Sequence, residues 1–139
     1  MKKYFTILLF TFIFCFLGGS LNVFAAENSA ATTTINARIL PTVWYSTLSV
    51  NDGDSIKIYA GIQNNSGLNF TGTAVFYVDD AGIATTTFSS TDGILKDISA
   101  DWLANPGGHD IQVKITTNLP SDKVLVSYES DKSNISITR

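Results

Sequence analysis

One histidine, His109, stands beside Asp110 in the stretch WLANPGGHDIQVKI, Trp102 to Ile115. An imidazole oriented by a carboxylate is what general-base catalysis needs, with a nucleophile within hydrogen-bond reach. The spacing speaks against that chemistry here. Neighbours in a strand point to opposite faces, so Asp110 is badly placed to orient the ring. Ile111, Val113 and Ile115 alternate with polar residues and mark a strand. The Asn-Pro-Gly-Gly before it marks a turn. No Gly-x-Ser-x-Gly occurs, and SSTDG at 89–93 lacks the glycines of a nucleophile elbow. His109 reads as a strand-start residue, and no catalytic residue is assigned.

Metal chemistry has little to work with. Zinc sites draw on several His and Cys ligands, and the chain holds one of each, His109 and Cys15. Calcium takes carboxylate and carbonyl oxygens from loops. Asp52, Asp54, Asp79 and Asp80 lie in expected turns and are the calcium candidates, with Asp92 in a further turn. No D-x-[DN]-x-[DN]-G run accompanies them, and aspartate is also favoured in turns for backbone reasons. No cofactor is expected.

Aromatic residues make the better case for a binding surface. Exposed Trp and Tyr on a sheet stack on sugar rings or anchor protein partners. Trp44 and Tyr45 are adjacent, so one faces the core and the other faces out. Tyr59 and Tyr77 fall on the polar sides of their strands. Tyr45, Tyr59 and Tyr77 are the ligand-binding candidates. The competing reading is a core role, or simply the preference of aromatics for strands. Trp102, in step with Ile98 and Ala100, belongs to the core.

The elements that must position these residues come from a chain that opens with a leader. Lys2 and Lys3 precede an apolar run from Tyr4 to Gly18, and Val23 and Ala25 are small residues ahead of a cut after Ala25 or Ala26. Residues 1–26 read as a secretory signal peptide, and the product is expected to be secreted or held at the cell surface. An uncleaved anchor is the alternative, since residues 4–26 are long enough to span a bilayer. With cleavage no membrane span remains. The mature chain then has no cysteine and no disulfide. It carries seven basic and twelve acidic residues, a net charge of −5. With no clustered Lys and Arg, nucleic acid is not an expected partner.

Residues 27–34, ENSAATTT, read as a flexible spacer and 35–139 as the domain. Ile56, Ile58, Ala60 and Ile62 recur at every second position. Ala74, Phe76 and Val78 alternate with Thr73, Val75 and Tyr77, and Ile98, Ala100 and Trp102 do so with acidic and serine residues. Period two with one apolar face is the mark of half-buried strands. Turn signals stand between them at NDGD, NNSGLN, DDAG, STDG, NPGG and NLPSD. The expected fold is all-β, an immunoglobulin-like sandwich of about seven to eight strands in two antiparallel sheets. NNS at Asn64 and NIS at Asn134 match the glycosylation acceptor pattern, but the pattern is short and chance matches are common, so neither is assigned as a site.

Four segments together resemble a known family. Gly53-Asp54 opens a strand that ends in the loop Asn64 to Gly67. An aromatic-rich strand closes in Tyr77-Val78-Asp79-Asp80, and a Pro-Gly corner at Pro106 leads into the strand to Ile115. Over Arg38 to Thr117 this pattern is similar to the cell-adhesion-related domain found in bacteria (CARDB). The family has glycine where Asp80 stands. The resemblance implies a noncatalytic module of the cell surface, with an envelope protein or a polysaccharide as partner. A carbohydrate-binding module using the exposed aromatics is the alternative.

Overall fold

The computed structural model describes residues 31–139. Eight strands form two four-stranded sheets that pack face to face. They are β1 (Thr33–Tyr45), β2 (Ser55–Asn64), β3 (Phe70–Val78), β4 (Ala81–Ser90), β5 (Leu95–Leu103), β6 (Gly107–Thr117), β7 (Lys123–Ser127) and β8 (Ser133–Ile137). One sheet has the order β5-β2-β1-β7, the other β4-β3-β6-β8. The arrangement is an all-β, immunoglobulin-like sandwich. The first sheet departs from the expected all-antiparallel pattern, because β7 runs parallel to β1. The leader, residues 1–26, lies outside the described residues. Of the spacer, Thr33 and Thr34 already belong to β1, where they pair with Lys123 and Val124. Their backbone groups find a partner strand, so the ordered domain begins earlier than residue 35.

Alternation in the sequence becomes the core. Ile56, Ile58, Ala60 and Ile62 of β2 and Ile98, Ala100 and Trp102 of β5 face inward. They meet Ala74, Phe76 and Val78 of β3 and Ile111, Val113 and Ile115 of β6. Fully burying an Ile or Phe side chain contributes about 1.5–3 kcal/mol, and this core has no disulfide to assist it. Gly72 of β3 leaves no room for a side chain. A Cβ there would run into the Thr116 carbonyl oxygen and the Phe88 ring, so Phe88 fills the space a side chain would take.

Strand β1 bends around Pro41. Ile39 pairs with Ile62 and Val43 with Ala60, so β1 carries two extra residues across that step. Proline has no N–H to give a ladder and belongs at bulges and edges. An insertion of two preserves the side-chain alternation. Val43 therefore still faces the core, and Trp44 still faces out.

The hairpin β3–β4 turns on Asp79 and Asp80, with φ of +50° and +63°. Positive φ at both central residues is the two-residue turn whose twist matches paired strands. Aspartate tolerates that region better than most residues, so Asp80 can stand where the family pattern has glycine.

Candidate functional site

The outer face of the β5-β2-β1-β7 sheet carries an aromatic and apolar patch. Tyr59 lies between Ile58 and Ala60, both fully buried, so its own side chain points away from the core. The register sets Trp44 opposite it. The two rings lie 5.9 Å apart and within 7° of parallel. Gly61, two residues on from Tyr59, shares this face. A Cβ on Gly61 would lie 2.8 Å from Leu40 Cδ1 and 3.3 Å from Leu95 Cδ1. Leu40 and Leu95 thus close over the glycine from the two neighbouring strands, and Leu95 remains 55% exposed. An aromatic bar and an aliphatic bar run side by side across β1, β2 and β5.

Polar pairs frame the patch. At one end the Arg38 guanidinium donates twice to Gln63 Oε1, at 3.0 and 3.2 Å. At the other, Lys57 Nζ meets Asp101 at 2.7 Å, which raises the lysine pKa, first through the hydrogen bond and then through charge. An antiparallel sheet with one solvated face normally shows it polar residues. Here the middle of the face is apolar and its rim is charged, the anatomy of an interface core and rim.

The three tyrosine candidates do not share one surface. Tyr59 is in the patch. Tyr77 lies on the outer face of the other sheet, with Lys114 Nζ 5.8 Å from its ring centre. Tyr45 is half-buried and packs against the core. Its hydroxyl donates to Ser133 Oγ at 3.4 Å, and desolvation raises its pKa. The expected joint platform of Tyr45, Tyr59 and Tyr77 is therefore replaced by Trp44 with Tyr59. Alternation shows which way a residue points but not which sheet its strand joins, so Tyr59 and Tyr77 looked equivalent in the sequence. The signal for Trp44 was present in its adjacency to Tyr45; its pairing with Tyr59 needed the register across the Pro41 bulge.

His109 is held by a different carboxylate from its neighbour. Its Nδ1 is 2.7 Å from Asp79 Oδ2 in the β3–β4 turn, and its Nε2 is 3.0 Å from the Asn105 carbonyl oxygen. Both ring nitrogens face acceptors, an arrangement that only the imidazolium satisfies in full. The Asp79 hydrogen bond is the main cause of a raised His109 pKa, and the same bond lowers that of Asp79. The second Asp79 oxygen accepts the Asp110 N–H at 2.9 Å. Trp102 stands edge-on, 5.3 Å from the imidazole, and the histidine side chain is only 13% exposed. Among the described residues no serine or threonine hydroxyl bonds to it. The group joins two turns and the start of β6.

The calcium candidates are similarly engaged. Asp54 Oδ2 accepts the Asn51 N–H at 2.8 Å, and Asp80 receives Lys132 Nζ at 2.8 Å. No group of three or more His, Cys, Asp or Glu side chains gathers at one point among the described residues. Asp52 also lies in the β1–β2 loop, where its N–H donates to the Thr138 carbonyl.

No family model matches the sequence, and no curated protein matches it. Among solved structures it is similar to the CARDB domain of the PF1109 protein from Pyrococcus furiosus, a structure in complex with di-metal ions. The TM-score is 0.57 at 10% identity, covering 75% of this chain and 94% of that one. The chain shares its fold with a CARDB domain. The fold resemblance read from Gly53-Asp54, Asn64 to Gly67 and the Pro106 corner is thereby supported by geometry. The structure of alkylpurine DNA glycosylase AlkC from Pseudomonas fluorescens, bound to DNA containing an abasic site analog, is also similar. Its TM-score is 0.48 at 12% identity, over 76% of this chain and 31% of that one.

Proposed function

We propose that this chain is a secreted, noncatalytic module of the cell surface that binds an envelope protein through the outer face of β5-β2-β1-β7. One observation carries the reading: the parallel Trp44–Tyr59 pair beside Leu40 and Leu95, framed by Arg38–Gln63 and Lys57–Asp101. Buried Trp, Tyr and Arg dominate protein interfaces energetically, with polar rims around them. Among the described residues no nucleophile is bonded to His109, whose ring is held by Asp79 and the Asn105 carbonyl.

Carbohydrate is the second reading, since Trp and Tyr rings on an outer sheet face, here Trp44 and Tyr59, can stack on sugars. Both readings use the same side chains and differ in the partner. The test is binding of labelled protein to cells of the source organism, untreated, protease-treated or stripped of surface polysaccharide. The W44A/Y59A variant should lose the binding, and protease treatment of the cells should abolish it. Binding that survives protease but not polysaccharide removal would establish the second reading instead. Full binding by W44A/Y59A would refute both.

A further inference from the structure

Among the described residues, strand β4 has one edge to which no strand pairs. It pairs with β3 along its length and ends its sheet. An open edge presents a row of unpaired N–H and C=O groups, which proteins normally guard with charges, prolines, bulges or short strands. The other edge strands follow that rule. β5 carries Lys96, Asp97 and Asp101, while β7 and β8 have five residues each. β4 has ten residues, AGIATTTFSS, with no charge and no proline. Its one irregularity, opposite Phe76 and Tyr77, falls near the turn. From Ala84 to Ser90 the ladder is unbroken, seven residues centred on Thr87.

The side chains along that stretch suit a copy of themselves. Thr85, Thr87 and Ser89 alternate on the exposed side. Among the described residues their hydroxyls make no hydrogen bond. If two β4 strands pair antiparallel about Thr87, Thr87 faces its own copy and Thr85 faces the copy's Ser89 on both sides of the axis. Cross-strand Thr–Thr and Thr–Ser pairs stabilise sheets. The match also avoids a cost that other edges would incur. The chain downstream of the leader carries a net charge of −5, so two copies repel over most approaches. A symmetric pairing of the charged β5 edge can set like charges close together, whereas β4 meets β4 with no charge in the ladder.

We infer that two copies of this chain pair through β4, edge to edge about Thr87, to form one continuous eight-stranded sheet across the dimer. The pairing is isologous and closes on itself, so it stops at two. It uses the edge of the sheet opposite the Trp44–Tyr59 face. Both patches therefore stay open, and the dimer is bivalent for whatever that face binds.

The test uses protein expressed from the full chain in a Cys15→Ser background. Thr87→Cys, at the axis, should form an intermolecular disulfide on mild oxidation. Directly opposed residues in an antiparallel pair have Cα atoms about 4.5–5.5 Å apart, within disulfide range. Lys96→Cys on the β5 edge should not. Sedimentation should show a concentration-dependent dimer. T85K/S89K opposes like charges at both flanking pairs and should weaken association about tenfold or more, roughly 1.4 kcal/mol. T85K/S89E restores opposite charges at the same pairs and should bring the dimer back to within about threefold of the parent, well under one tenfold step. Circular dichroism confirms that each variant folds. A monomer at every concentration up to about 1 mM with no Thr87→Cys cross-link overturns the inference and leaves the edge for a strand from another protein. A dimer indifferent to both charge variants also overturns it.

Discussion

Asn64 offers a sharp test of how the loop end of the sandwich is held. Its side chain has no exposed surface, yet all its hydrogen bonds are local. Nδ2 donates to the Leu68 carbonyl at 2.8 Å, and Oδ1 accepts from Ser66 Oγ at 2.7 Å and from the Ser66 N–H at 3.2 Å. The residue thus pins the β2–β3 loop, while its own carbonyl receives the Gly93 N–H at 2.7 Å from the β4–β5 loop. Asn64→Ala removes three hydrogen bonds at about 0.5–1.5 kcal/mol each, so a loss of about 2–4 kcal/mol is expected. For a domain of this size that lowers Tm by about 10–15 °C. Asn64→Asp should be worse at neutral pH. The carboxylate keeps the bonds from Ser66 but sets a negative oxygen against the Leu68 carbonyl, without water. Burial raises the folded pKa of that acid above its unfolded value of about 3.9. The variant's extra instability is therefore absent below about pH 4 and grows as pH rises. Urea titrations of both variants at pH 4 and pH 7, read by tryptophan fluorescence, measure it. An Asn64→Ala loss under about 1 kcal/mol, or Asn64→Asp stability that does not fall between pH 4 and 7, would refute the reasoning.

Two further outcomes follow from the structure. The His109–Asp79 link should make stability depend on pH. The His109 pKa is raised above 6.5, so the histidine contribution is complete below that value and is lost as pH climbs through the raised pKa. The Asp79 pKa is lowered below 3.8, so the aspartate contribution is present above that value and is lost as pH falls through the lowered pKa. The pair therefore acts most strongly between those limits. His109→Gln should flatten the alkaline side of the profile, and Trp102, beside the ring, should report the titration in its emission. An unchanged alkaline limb would contradict the link. Gly72→Ala should destabilise by about 1–3 kcal/mol through overpacking, because the methyl meets a backbone carbonyl as well as the Phe88 ring; a neutral result in urea unfolding would show that Phe88 moves aside freely.

The sequence by itself determined which residues face the core. Strand period is two, so Ile56 to Ile62, Ala74 to Val78 and Ile98 to Trp102 show their buried face in the spacing, and the structure buries each set. It also showed that Asp110 could not serve His109, since neighbours in a strand diverge. Only the tertiary structure decided what each outward residue meets. Asp79 reaches His109 from 30 residues away because β3 and β6 pair, and nothing in the spacing of either strand records that pairing. Trp44 meets Tyr59 because the step at Pro41 adds two residues to β1 and not one. Tyr59 and Tyr77 part company because their strands join different sheets. Alternation is a local property, written by the backbone along each strand. Which strand lies beside which, in what register and with which edge left open, is settled by long-range packing of the two faces.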